Sequence, residues 1–160
     1  MLSGQQFVAA LLELHVTHVV WLPDSAIGPW EESLQNEPRL TLVRVCREGE
    51  AWAVAAGLLL GGKKPLVVIQ NTGLFESGDA LRNVLYDLKL PLYALVGYRS
   101  YLVPDSPDTA KRFTEPLLRA WGLDFVLLAG GDPSAQLVAH CRDCQERGAP
   151  GVALLPEGRM

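Results

Sequence analysis

The sequence predicts a three-layer α/β/α domain built on a mostly parallel, six-stranded sheet. Three observations carry this. Six short, nearly unbroken apolar runs rich in valine and leucine recur along the chain, as expected of strands covered on both faces. Segments of helical pattern separate them in strict alternation. The 160 residues amount to one ordinary domain, with 49% apolar and 20% charged residues, which suits a packed core.

The expected strands are residues 18–22, 40–45, 65–70, 91–97, 124–129 and 151–156. The helices fall between them. Residues 3–15 open with Ser3 as N-cap, and 29–36 open with Pro29 at a first helical position. Residues 48–60 are apolar all round. Residues 76–88 place Leu81, Val84, Leu85 and Leu88 on one face. Residues 109–121 and 134–147 complete the set, the last introduced by Asp132-Pro133-Ser134. No repeat or domain boundary interrupts 1–160, which reads as a single domain. The longest irregular stretch, 98–108, is of a length that often carries function.

Composition narrows the function classes. A formal net charge of −4 with no basic stripe argues against nucleic acid as a partner. No apolar run reaches the ~20 residues of a membrane span, and the N-terminus lacks a basic start and a small-residue cleavage site. A cytoplasmic location is the expectation. Cys141 and Cys144 form a C-x-x-C late in an amphipathic helix, with His140 beside it as the only further ligand-type residue. Ordinary reduced thiols fit better than a redox or metal pair, which would sit in a loop or at a helix N-terminus. No metal site is expected in this chain.

Open parallel sheets bind ligands beyond the carboxyl ends of their strands. The segments to read are therefore 23–29, 46–50, 71–74 and 97–101, where polar residues and glycines cluster. They contain no G-x-S-x-G elbow, no phosphate loop and no G-x-G-x-x-G. His15 and His18 flank the turn at the opposite end of the sheet and read as structural. Polar strand ends without a catalytic kit suggest a site shared with another chain.

Residues 44–57, RVCREGEAWAVAAG, are the most informative: a strand ends, a Glu follows, and an alanine-rich helix runs to Gly57. This resembles the pyrimidine-binding domain of thiamine-diphosphate decarboxylases, and counting back nine residues from Gly57 selects Glu48 rather than Glu50. The pattern is similar above all to the sulfopyruvate and phosphonopyruvate decarboxylases. Leu22-Pro23-Asp24-Ser25 resembles their V-P-D-S, Gln70-Asn71-Thr72-Gly73-Leu74 their Q-N-S-G-L, and Gly97-Tyr98-Arg99-Ser100 their G-[WY]-R-G.

The resemblance implies the thiamine-diphosphate-binding fold and a catalytic role for Glu48. That glutamate bonds N1′ of the cofactor's aminopyrimidine and favours the imino form that activates C2 of the thiazolium. It implies cofactor contacts from Pro23, Asp24, Ser25, Asn71, Thr72 and Gly73, and substrate contacts from Ser25 and Arg99. Each has a plainer reading. Glu48 or Glu50 suits the first turn of any helix; Asp24 and Ser25 suit a turn and N-cap; residues 71–73 suit a strand-to-helix turn; Arg99 suits an open surface. Trp52 and its alanines suit either a subunit interface or the core.

Two departures stand out. Ser100 occupies a position where relatives often have Gly, and 106–110 lacks the histidine that relatives carry there, which leaves the exact substrate and retained activity open. The G-D-G…N-N signature that holds the diphosphate and Mg²⁺ is missing, so both are expected on a β-type partner subunit, in a dimer or hetero-oligomer acting on a small 2-oxo acid. A different thiamine enzyme (a carboligase or an oxidoreductase) and a non-catalytic dimerising module remain as alternatives.

Overall fold

A computed structural model describes residues 2–158. Its elements are α1 (Gly4–Glu13), β1 (His18–Trp21), a 3-10 turn (Gly28–Trp30) leading into α2 (Glu31–Gln35), β2 (Thr41–Arg44), α3 (Glu48–Leu60) and β3 (Pro65–Gln70). There follow α4 (Asn71–Arg82) with a π-helical turn (Asn83–Asp87), β4 (Tyr93–Tyr98), α5 (Thr109–Ala120), β5 (Asp124–Leu127), α6 (Pro133–Arg147) and β6 (Gly151–Pro156). All strand pairings are parallel, in the order β2-β1-β3-β4-β6-β5. The expected three-layer α/β/α architecture is what forms.

Two cores flank the sheet. One gathers Phe7, Leu11, Leu34, Leu137 and Val138 from α1, α2 and α6 against Val19, Trp21, Val68 and Leu95. The other gathers Ala51, Trp52, Ala55, Leu74, Leu81 and Leu118 from α3, α4 and α5 against Val20, Val67, Ile69 and Val96. Alternate residues of each central strand thus face opposite helical layers, which is why the runs are apolar throughout. Trp52 is fully buried in this second core, so its place is the chain's interior rather than a subunit interface.

Helix starts follow local chemistry. Ser3 and Gln6 form a reciprocal capping box on α1, and Asp132 caps α6 ahead of Pro133. Two expectations are corrected. Helical structure starts at Asn71, ahead of the expected 76, and is kinked at Gly78 (φ 12°, ψ −91°), so Asn71, Thr72 and Gly73 form a first helical turn rather than a loop. A tertiary bond overrides their weak helix propensity: Asn71 Nδ2 donates to Thr114 Oγ1 at 3.0 Å, while within the helix Ser77 Oγ donates to Gly73 O at 2.5 Å. Leu88 is 57% exposed while Leu81, Val84 and Leu85 are buried. The π-helical turn accounts for it: Leu88 N bonds Asn83 O, five residues back, which widens the turn and swings Leu88 off the apolar face.

The chain reverses direction across the sheet between β1 and β3, sending α2 to one face and α4 to the other. The carboxyl ends of these strands therefore border a crevice. Residues 23–25 and 71–73 stand on its two sides.

Candidate active site

Glu48 is the first residue of α3 and is half-buried. Its side chain lies across Gly73: a Cβ on Gly73 would sit 3.0 Å from both Cδ and Oε1 of Glu48. Only glycine leaves that space. The neighbouring acids are occupied elsewhere. Glu50 Oε2 accepts from Cys46 N at 2.9 Å. Glu76 of α4 accepts from Gly49 N at 2.7 Å and from Arg47 Nε at 3.0 Å, and these bonds, the backbone one first, lower its carboxyl below the ordinary value. Helix capping is thus done by Glu50 and Glu76, while Glu48 makes no hydrogen bond or ion pair among the described residues.

The first turn of α4 holds the next three sequence-derived residues. Asn71 is fully buried, and its Oδ1 has no partner among the described residues. Thr72 and Arg99 line one open cleft of about 380 Å³ with Phe75, Thr109, Ala110 and Phe113. Arg99 is not an unpaired surface cation. Its Nε and Nη2 donate to Asp108 at 2.9 and 3.2 Å, and this pairing, the first cause, holds the Asp108 carboxyl down at about 2. Its Nη1 has no hydrogen bond among the described residues. Asp108 also caps α5 through Ala110 N and accepts from Ser100 Oγ. Ser100 sits at φ 63°, in the left-handed region that favours glycine.

Pro23 is half-buried and Ser25 exposed in the turn after β1. Asp24 does what a turn residue does with one oxygen: Oδ1 accepts from Ala26 N and Ile27 N at 2.9 and 3.0 Å. Its Oδ2 points the other way, over Gly97 and towards Glu157. Glu157 was not among the sequence-derived residues, nor were Glu76, Ser77 and Asp108 as working partners. Glu157 follows β6, and the rule that singled out the other strand ends applies equally to it.

The cysteine pair lies at the opposite end of the sheet. Cys141 and Cys144 are free and buried, and burial first pushes the Cys141 thiol up to about 12. One expectation needs correction: His140 is not their only ligand-type neighbour, since Asp124 comes within 4.8 Å of His140 and Cys144. Arg147 holds Asp124 at 2.5 Å.

Residues 1–102 match the family described as thiamine pyrophosphate enzyme, N-terminal TPP binding domain. The chain is 30% identical over 165 residues to the phosphonopyruvate decarboxylase of Streptomyces viridochromogenes, covering 99% of this chain and 41% of that protein. It is 27% identical over 157 residues to the sulfopyruvate decarboxylase subunit alpha of Methanothermobacter thermautotrophicus, covering 96% and 94% of the two. The chain therefore spans about two-fifths of the phosphonopyruvate decarboxylases it matches. Its fold superposes on the crystal structure of benzoylformate decarboxylase from Polynucleobacter necessarius with a TM-score of 0.77 at 19% identity, over 98% of this chain and 30% of that one.

Proposed function

Since this chain belongs to the thiamine pyrophosphate enzyme N-terminal TPP binding domain family, we propose that it is the pyrimidine-binding subunit of a two-subunit decarboxylase. Its substrates are small 2-oxo acids of the sulfopyruvate or phosphonopyruvate type. The observation that carries this reading is the carboxylate of Glu48: half-buried, set at a helix N-terminus against Gly73, and relieved of capping by Glu50 and Glu76. The likeness to alpha subunits of sulfopyruvate decarboxylase supports the two-subunit arrangement.

The residues present fit thiamine diphosphate. Among the described residues Glu48 has its hydrogen-bonding capacity unspent, and Asn71 Oδ1 is a buried acceptor without a partner. When bound, the cofactor supplies a nucleophilic carbon and an electron sink for loss of CO₂. Glu48 holds a proton between its carboxylate and a ring nitrogen of the pyrimidine. Asn71, Thr72 and Gly73 shape the wall beside it, with Pro23, Asp24 and Ser25 across the crevice. Arg99, fixed by Asp108, presents its Nη1 edge to the anionic tail of the substrate, alongside Ser25. Mg²⁺ and the diphosphate are left to a β-type partner subunit carrying the G-D-G…N-N signature. The chain works in the cytoplasm within a hetero-oligomer.

The test is reconstitution. Mixing the chain with a subunit bearing that signature, thiamine diphosphate and Mg²⁺ should give CO₂ release from sulfopyruvate or phosphonopyruvate. Glu48→Gln should lower the rate on the order of 10²-fold or more while the far-ultraviolet spectrum and unfolding midpoint stay unchanged. Full activity in that variant would remove Glu48 from the chemistry. Product analysis that finds a carboligation or oxidation product would replace the decarboxylase reading with another thiamine reaction. No cofactor binding by the mixture would point to a non-catalytic module.

A further inference from the structure

Two carboxyl groups meet over Gly97. Asp24 comes from the turn after β1, Glu157 follows β6, and Gly97 lies in β4 between Gln70 of β3 and Leu155 of β6. A Cβ at position 97 would lie 3.0 Å from Glu157 Cδ and 3.1 Å from Asp24 Oδ2. Glu157 is 3% exposed. Asp24 Oδ2 and both oxygens of Glu157 are buried and have no donor among the described residues. Among the described residues Arg99 is the other charge that bears on Glu157, and it gives its hydrogen bonds to Asp108.

Two ionised carboxylates so enclosed repel each other and lack hydration. One proton between them turns an acceptor into a donor, removes one negative charge and joins Asp24 Oδ2 to one oxygen of Glu157. Burial first, then the hydrogen bond to Asp24 and its charge, push the Glu157 carboxyl up to about 8, with Arg99 acting in the opposite sense.

We propose that Glu157 shares one proton with Asp24 and is a positioning residue of the site, storing behind Asp24 the proton that decarboxylation consumes. The fate of that proton rests on the decarboxylase reading; the sharing does not. The balance is R–CO–COO⁻ + H⁺ → R–CHO + CO₂. The carbon–carbon bond breaks, its electron pair stays on the former keto carbon, and a C–H bond forms with the incoming proton. Glu157 is enclosed and Asp24 is half-buried beside the crevice, so the proton leaves through Asp24. Glu157 passes its own proton to Asp24, and the pair regains one from the solvent side through Asp24.

Carboxyl carbon NMR on the full chain, with ¹³C-labelled Asp and Glu, tests the sharing without cofactor or partner. One glutamate carboxyl should titrate near pH 8 and be lost in Glu157→Gln. In Asp24→Asn, which removes the facing charge, its midpoint should fall by roughly one unit or more. All glutamates ionised by pH 6 would overturn the proposal; if Glu157→Gln does not fold, the Asp24→Asn titration decides it. In the reconstituted complex, Glu157→Gln should lower kcat about tenfold or more, leave KM nearly unchanged and remove the alkaline limb of the pH profile. An unaltered kcat and profile would overturn the role in proton supply. A wild-type complex that releases no CO₂ would count against the decarboxylase reading, whereas the shared proton is decided by the first measurement.

Discussion

Three glutamates surround the start of α3, and their environments separate them. Glu50 and Glu76 bond backbone N–H groups, whereas Glu48 lies over Gly73 with its carboxylate unspent. The spacing to Gly57 selects Glu48 in the sequence, whereas the difference between the three carboxyl groups appears only in the bonds of its neighbours. The fit against Gly73 can be tested directly. In Gly73→Ala the new Cβ strikes the Glu48 side chain, not backbone. A half-buried side chain can swing away, and alanine favours a helix over glycine by roughly 0.5–1 kcal/mol. The urea midpoint should therefore move little, while CO₂ release in the reconstituted complex drops towards that of Glu48→Gln. A variant with wild-type turnover would show that the placement of Glu48 against residue 73 does not matter.

What holds Glu48 in that place is the packing of α3 on α4. The buried indole of Trp52 donates to Ser77 Oγ at 3.0 Å, and Ser77 donates on to Gly73 O. The Arg47–Glu76 pair and the Gly49–Glu76 bond close the same joint from its exposed side. Ala51, Ala55 and Ala56 are buried on α3, and their small size keeps the helix close to its neighbours. Ser77→Ala would leave the indole N–H without an acceptor in a dry interior. A loss of about 1–3 kcal/mol in chemical denaturation is expected, with reduced activity of the complex because the joint beneath Glu48 loosens. Unchanged stability would mean that the indole finds another acceptor. The alanine run and Trp52 were visible in the sequence, yet periodicity could not say whether they faced a partner or the core. The late start expected for α4 has the same origin: Asn-Thr-Gly reads as a turn locally, and only Thr114, 43 residues on, makes it a helix.

Across the whole molecule, parallel order brings the ends of β1, β3, β4 and β6 to one edge, and stability acquires a pH dependence there. Glu157 has an ordinary value of 4.5 and is raised to about 8 in the fold. Its contribution is complete below about 4.5 and is lost as pH climbs to about 8, because the unfolded chain ionises first. Asp108 works in the reverse sense: lowered from 3.8 to about 2, it stabilises above 3.8 and stops doing so as pH falls through about 2. Between pH 5 and 8, the stability of the wild type relative to Glu157→Gln should therefore decline, by roughly 1 kcal/mol or more, in urea titrations at constant ionic strength. A difference that stays flat or grows with pH would contradict a protonated, buried Glu157. The strands, the order of the helices and the position of Glu48 were determined by the sequence itself, since continuous apolar runs, capping residues and a fixed spacing are local signals. Strand order was not, and with it went everything that depends on distant elements meeting. The pairing of Arg99 with Asp108, the burial of Trp52, and above all the meeting of Asp24 with Glu157 over a glycine were decided by the tertiary structure. Residues 24, 97 and 157 carry no periodic signal that relates them; only the insertion of β6 beside β4 puts two carboxyl groups within reach of one proton.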